Sequence, residues 1–219
     1  MANNFNILFE DLSTELAVFP LSGVLLLPSG RLPLNIFEPR YLNMVFDSIK
    51  AQRLIGMVQT FEDESGPGND QVQIYKTGCV GKIVSFAETK DGCIHLTLEG
   101  VCRFDTVAEL ENRNGYRCVR ADYNRYRGDV LDLPQSIDRD VFERHLRDYF
   151  QVKNIQVDWD VINNADDKLL FSNLAMLCPF SNQEKQALLE ADDFGHMIDI
   201  MTSLMKMAIQ GGDESYSKH

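Results

Sequence analysis

Five cysteines have the widest chemical range of any residues in this sequence, since thiols bind metals, form disulfides and act as nucleophiles. They are Cys79, Cys93, Cys102, Cys118 and Cys178. The intervals between the first four are 14, 9 and 16 residues, which fit no paired-ligand pattern of zinc sites, and no C-x-x-C motif occurs. Free cysteine is often simply a buried apolar residue. We therefore expect core thiols in a reducing compartment, without metal and without a disulfide.

Carboxylates and histidines offer a second possible chemistry, either cation binding or acid–base catalysis. Aspartates cluster at 158–160 and 166–167, where they could hold a divalent cation. Aspartates that precede helices are far more often caps, so capping is the expected role here. Three of the four histidines, His95, His145 and His196, are scattered along the chain, and none has a nucleophile or carboxylate at a suggestive spacing. We expect structural or surface roles for them.

Sequence motifs of common catalytic sites do not occur in this chain. There is no G-x-x-x-x-G-K-[ST] phosphate loop, no G-x-S-x-G nucleophile elbow and no H-E-x-x-H zinc motif. The nearest approach, residues 78–82 (GCVGK), has neither the spacing nor the hydroxyl of a phosphate loop. We predict that the protein is not an enzyme and has no cofactor and no catalytic residues. A hydrolase with an unrecognised site remains the alternative.

Four methionines crowd one predicted helix near the C-terminus: Met197, Met201, Met205 and Met207. Methionine adapts to varied partners, so Met197, Met201 and Met205 are candidate binding residues on one wall of a peptide site. The alternative interpretation is packing within a helical layer. The apolar stripe on this helix is wider than that packing alone requires.

A formal net charge of −12 disfavours binding to phosphate backbones, which requires clustered Lys and Arg. Arg117, Arg120 and Arg125 form the only candidate basic patch for the rival function of RNA binding. No apolar run approaches the ~20 residues of a membrane span, and residues 1–15 do not resemble a signal peptide. We expect a cytoplasmic protein with no nucleic-acid and no membrane partner.

The elements that position these residues are organised around residues 19–41, FPLSGVLLLPSGRLPLNIFEPRY. Short apolar runs at 24–27 and 32–37, separated by a Pro-Ser-Gly-Arg turn, predict two buried strands. Pro39 then opens a predicted helix over about 39–52, since its missing N–H costs nothing in a first turn. Glu38 and Arg40 flank this proline and are candidate binding residues. The alternative is an ion pair that only ties the helix start to the sheet.

Further strands are predicted at residues 15–21, 54–59, 72–75, 78–89, 93–99, 101–110 and 116–123. Asp91-Gly92 is the strongest hairpin signal in the chain, and Gly100 predicts a bulge or sharp bend. Residues 61–71 are acidic and rich in Gly, Pro and Asn, which predicts a loop. Many short strands with one helix between them predict a closed or nearly closed barrel.

Beyond a composition shift at 124–136 the apolar period becomes helical. Helices are predicted near 137–151, 157–163, 166–178 and 194–210. Another opens at Ser181, which forms a capping box with Glu184. Gly211-Gly212 is predicted to end the last helix.

The 19–41 motif closely resembles the opening of the Lon N-terminal domain family, also called the Lon substrate-binding domain. The resemblance continues at 55–58, 80–83, 98–104, 116–117, 174–180 and 184–190, so little apart from the ends and linkers is uncovered. It implies an α+β fold with a PUA-like β-barrel followed by an all-helical subdomain. We then expect a flexible N-terminal arm at 1–14, a barrel at 15–125, a linker at 126–136, the helical subdomain at 137–211 and a disordered tail at 212–219.

The resemblance covers the recognition module alone, because no region resembles the ATPase motor or the protease of Lon. It implies non-catalytic recognition of protein substrates without ATP. The expected partners are unfolded or degron-bearing polypeptides, with a protease or chaperone as a further partner in an adaptor or regulatory role. The alternatives are an RNA-binding PUA-like protein and a docking module for one specific folded partner.

Overall fold

In the computed structural model, which describes residues 7–61, 72–131 and 137–216, one mixed sheet carries all the strands of the described part. The strands are β1 Glu15–Pro20, β2 Arg31–Ile36, β3 Leu54–Phe61, β4 Gln73–Glu88, β5 Ile94–Arg113 and β6 Tyr116–Asp122. Their order in the sheet is β2-β5-β4-β3-β1-β6. All pairings are antiparallel except that of β1 with β3.

The sheet closes because β6 pairs with both β1 and β5. Five strands therefore form a ring, while β2 pairs only with the first half of β5, outside the ring. We call the resulting extension, residues 31–36, 83–88 and 94–99, the three-stranded wing. The barrel predicted from the alternation of short strands is confirmed.

A bulge bends β5 where the wing joins the ring. Val80 is opposite Cys102, but Gly81 is opposite Gly100, so one residue of β5 is unpaired. Backbone of the segment before β2 lies against this point, and a Cβ on Gly100 would overlap the Leu27 carbonyl. The bend predicted at Gly100 is confirmed, and this close approach explains why it is a glycine.

The strand predicted at 24–27 is not present, although Leu25, Leu26 and Leu27 are fully buried. The segment crosses between the barrel and the helices, so its side chains are covered from both sides without sheet pairing. Its hydrogen bonds go to the bulge instead: Ser29 N–H donates to the Gly100 carbonyl at 2.8 Å. The apolar run at 24–27 thus predicted correctly that the segment is buried, but wrongly that it is a strand.

The helices are α1 Pro39–Lys50, α2 Arg139–Lys153, α3 Trp159–Asn164, α4 Asp167–Leu177, α5 Asn182–Glu190 and α6 Phe194–Tyr216. The capping box at Ser181 is confirmed, since its hydroxyl accepts from Glu184 N–H while the Glu184 carboxylate accepts from Ser181 N–H. The prediction that Gly211-Gly212 ends the last helix is wrong, because α6 continues through both. Glycine weakens a helix by about 1 kcal/mol but does not prevent it.

The segments before and after the predicted barrel, 1–14 and 126–136, were expected to be a flexible arm and a linker. Of the arm, residues 7–14 lie on the barrel: Leu12 is buried, and the Tyr123 hydroxyl donates to the Ser13 carbonyl. In the linker, a short 3-10 segment, Asn124–Asp129, buries Tyr126 in the barrel. Residues 1–6, 132–136 and 217–219 and most of the predicted acidic loop lie outside the described residues.

The main apolar core is continuous from the barrel into the helices. It joins barrel residues such as Met57 and Leu98 to helix residues such as Phe171 and Leu188. A second cluster fills the other end of the barrel around Phe104. None of the helices in the described residues is long and apolar enough to cross a bilayer.

Candidate peptide-binding groove

An open groove of about 630 Å³ lies between the barrel and α4. Its base is the bend of β5 at Gly100 and Val101. One wall is the outward face of α4, where Leu169 and Asn173 lie one turn apart. Other apolar side chains along it are Ile7 and Val130. The volume of the groove is large enough to hold several residues of an extended chain.

The charges at the groove are mostly engaged within the protein. Arg31 forms an exposed ion pair with Glu99 at 3.0 Å. Asp166 caps α4, accepting hydrogen bonds from the Lys168 and Leu169 amides. A ligand in the groove would therefore meet apolar side chains and charges that already have partners within the protein.

Beside the groove, the barrel and helices are joined by a buried arginine. Arg103 of β5 is 1 % exposed and donates to both carboxylate oxygens of Asp129 at 2.8–2.9 Å. Its guanidinium also donates to the carbonyls of Leu189 and Ala191 at the end of α5. The Tyr126 ring lies 4.4 Å from the guanidinium carbon. Burial is the largest single influence and opposes the charged form, but the hydrogen bonds to Asp129 and the charges of Asp129 and other nearby groups together raise the pKa of Arg103.

This arginine sets the geometry of the groove, because Asp129 lies on the groove as well. The sequence analysis did not single Arg103 out. The sequence did contain a signal for it, since Arg103 places a long cationic side chain between Cys102 and Phe104 in an otherwise apolar strand. Buried charges are retained only when they are paired, so such a residue predicts a partner carboxylate.

The candidate methionines of α6 lie in the core and not on the groove. Met197, Met201 and Met205 are 4 %, 0 % and 0 % exposed and pack within the main core. The wide apolar stripe is explained by burial on several sides, with α2 and α5 both packed against α6. Met207 is exposed.

Glu38 and Arg40 lie at the start of α1, also away from the groove. Arg40 pairs with the Glu38 carboxylate at 2.8 Å, and its guanidinium lies 4.6 Å from the centre of the Tyr41 ring. Both side chains are about half exposed. The Arg40 Cβ lies against Gly115 in the turn between β5 and β6, so the stem of this side chain, and not the ion pair, contacts the barrel.

Most thiols of the chain are buried. Burial raises the pKa of Cys178 to about 12 and that of Cys102 further, so neither forms a thiolate at neutral pH. Cys93 is only partly covered and lies next to Asp91. Among the described residues, no three His, Cys, Asp or Glu side chains are grouped closely enough to hold a metal ion.

Two of the four aspartates predicted to cap helices, Asp158 and Asp166, accept backbone amides at helix starts. Asp158 accepts from the Asp160 amide, and Asp166 caps α4. Asp167 is bound by the Arg139 guanidinium. Two arginines of the candidate RNA patch are also paired, Arg117 with Glu109 and Arg125 with Asp192.

Comparison with known proteins supports the fold described above, a barrel followed by helices. A family profile described as the ATP-dependent protease La (LON) substrate-binding domain matches residues 15–207. The Lon N-terminal domain protein of Xanthomonas campestris is similar in structure, with a TM-score of 0.59 and 22 % identity over 89 % of this chain and 98 % of that one. The N-terminal domain of the Mycobacterium avium complex Lon protease has a TM-score of 0.61 and 15 % identity, covering 88 % of this chain and 98 % of its own.

Sequence relatives include much longer proteins. The Lon protease of Anaeromyxobacter dehalogenans is 27 % identical over 57 % of this chain but only 14 % of its own length. The Lon protease of Syntrophus aciditrophicus is 21 % identical over 89 % of this chain and 22 % of its own length. The match thus spans a small part of each relative. Because the family profile covers nearly the whole barrel and helical subdomain, the chain belongs to the ATP-dependent protease La (LON) substrate-binding domain family.

Proposed function

We propose that this protein is a non-catalytic binding module that holds extended polypeptide in the groove between the barrel and α4. The observation that carries the proposal is the groove itself, open and lined by both apolar and charged side chains, in a chain of a substrate-binding family. Unfolded or degron-bearing segments are the class of ligand that such a groove fits. The relatives named Lon protease suggest a protease or chaperone as the partner that receives the segment.

Binding is expected to be weak because an extended chain loses conformational freedom when it is ordered. A dissociation constant of roughly 1 μM, or weaker, corresponds to about −8 kcal/mol. The net charge of −12 favours basic segments, and that part of the affinity should fall as salt rises. The apolar part of the affinity should persist at moderate salt.

The test is titration with a reduced, unfolded protein and with the same protein folded. The unfolded form should bind and the folded form should not. Leu169→Asp puts a charge on the groove wall and should weaken binding about tenfold, while Leu177→Asp changes an 80 % exposed leucine of α4 that does not line the groove and should have no effect. Leu169 is 39 % exposed and Leu177 is 80 % exposed, so loss of folding is not expected for either variant.

Two outcomes would contradict the proposal. Equal and negligible binding of both protein forms at low and moderate salt would leave a docking module for one specific folded partner. Undiminished binding by Leu169→Asp would show that the unfolded chain binds somewhere other than the groove.

A further inference from the structure

The wing contains a strand edge that has no partner in the described part of the chain. β3 pairs with β4 only as far as Leu54 and Lys82, and the last backbone contact is Ile83 N–H to the Arg53 carbonyl at 2.8 Å. Residues 84–88 continue beyond that point, and of these Ser85 to Glu88 pair with β5 on one side alone. Their other side presents backbone donors and acceptors to solvent.

Apart from a β-bulge at Val84, where the register with β5 shifts, this edge carries none of the usual protection against strand addition. Every residue from 84 to 88 is exposed, including Val84 at 45 % and Phe86 at 47 %. Edge strands are commonly blunted by proline or by lysine. The outer strand of the wing, β2, contains Pro33, whereas 84–88 contains neither residue. The unprotected edge is therefore a template for an added strand.

The side chains along the edge define what the added strand would meet. Phe86 is opposite Leu96 and Glu88 is opposite Ile94, both of which are buried, so Phe86 and Glu88 lie on the core face of the wing. The opposite face carries only the small residues Ser85 and Ala87. Within the described residues, Glu88 has no ion-pair partner.

We propose that residues 84–88 bind an extended segment of another polypeptide by β-strand addition. The segment would run antiparallel to β4, with a large apolar residue beside Phe86 and a lysine or arginine beside Glu88. In an antiparallel strand this is a basic residue two positions before the apolar one, Lys-x-Phe for example. None of the five residues lines the groove, so the site is separate from the proposed groove function.

A second copy of this chain is a poorer occupant. If two copies pair antiparallel with Phe86 opposite Phe86, each Glu88 lies opposite Val84 of the other copy. If Ala87 is opposite Ala87, each Glu88 lies opposite Phe86. Either register places a carboxylate beside an apolar side chain. Centring on Ser85 would require Ile83, whose amide is already bound by Arg53. Charge complementarity thus favours a foreign basic segment.

The probe is a dye-labelled peptide, acetyl-TKTFTVT-amide, followed by fluorescence anisotropy with the intact chain. Two N-methylated versions carry methyl groups on alternate backbone nitrogens, one set on odd and one on even positions. Strand addition uses the amides of one edge only, so one version should lose binding and the other should keep it. Loss by both or by neither would overturn the proposal.

Charge reversal tests the register. Glu88→Lys should weaken binding of the Lys peptide about fivefold and favour its Glu counterpart, TETFTVT, by a similar factor. Lys90→Glu, which alters a charge in the adjacent turn, is the control and should have no such effect. If Glu88→Lys leaves the preference unchanged, the segment does not lie along this edge.

Two further measurements separate the alternatives. The groove variant Leu169→Asp should bind the peptide like the unaltered chain; if it does not, the peptide uses the groove and the edge proposal fails while the proposed function survives. In sedimentation of the protein without peptide, we expect to see no dimer that the Glu88→Lys substitution abolishes. Such a dimer would assign the edge to a second copy instead.

Discussion

The barrel meets the helical subdomain in two ways, a sealed contact around Arg103 and an open groove along α4. In the sealed contact a fully buried cation is matched by Asp129 and by the carbonyls that end α5. In the groove the comparable cation, Arg31, is exposed and pairs with an exposed Glu99. The two sites lie side by side and share Asp129.

The difference shows how one interface can hold two bodies together and still leave a binding surface. Where water is excluded, each charge needs a protein partner, and the resulting pair fixes geometry. Where water remains, ion pairs contribute little to stability, and side chains are free to contact a ligand. The buried pair therefore holds the barrel and the helices together beside an open groove.

The largest expected effect comes from breaking the sealed contact. Arg103→Met leaves Asp129 buried without its cation and the Leu189 and Ala191 carbonyls without a donor. We expect a loss of about 3–5 kcal/mol in the free energy of unfolding, measured by urea denaturation.

The matched control for Arg103→Met is an exposed pair. Arg113→Ala breaks the contact with Glu15, in which both side chains are more than half exposed, and should cost at most about 1 kcal/mol. Replacing both members of the buried pair, by Arg103→Met with Asp129→Leu, should restore part of the lost stability. Similar costs for the buried and the exposed pair would show that the contact is not sealed.

An intermediate effect is expected at the base of the groove. Gly100→Ala would drive its methyl group into the backbone of Leu27 and Pro28, which cannot move as a side chain would. The expected cost is about 1–3 kcal/mol in urea denaturation, as for overpacking. Gly128→Ala, which has open space around it, should stay within about 0.5 kcal/mol. Equal shifts for the two variants would mean that the open side is not tightly packed at its base.

The smallest expected loss of stability concerns the N-terminal end of α5. Arg103 binds the carbonyls at the opposite end of this helix. Its first turn is satisfied locally by Ser181, so Ser181→Ala should cost about 1 kcal/mol. Ser203→Ala, which removes an exposed hydroxyl that bonds only within α6, serves as the control and should be nearly neutral. A denaturation midpoint that Ser181→Ala does not move would contradict the assigned cap.

Local signals predicted individual elements well where a few neighbouring residues decide the structure. The hairpin at Asp91-Gly92, the bend at Gly100 and the cap at Ser181 all follow from turn, bulge and capping chemistry. The same approach failed at 24–27 and at Gly211-Gly212. In both places a local preference of under a few kcal/mol was overridden by tertiary packing or by continuation of a helix.

The candidate site could not be predicted in this way, because the groove is built from segments far apart in the chain. Its residues come from positions 7, 29–31, 82, 99–101, 129–130 and 166–173, and no short pattern links these segments. The candidate methionines illustrate the limit. Periodicity showed an apolar stripe on α6, but only the packing of α2 and α5 determines that Met201 is buried and Met207 is exposed.

By itself, the sequence determined the family, the order of strands and helices and the positions of the main turns. These depend on residue types within a few positions of each other, which constrain backbone dihedral angles directly. Tertiary structure alone decided which charges are buried, which apolar faces remain open and where β4 runs past its partner strand. Those outcomes depend on contacts between segments separated by tens of residues, and burial is a property of the packed surfaces and not of any one segment.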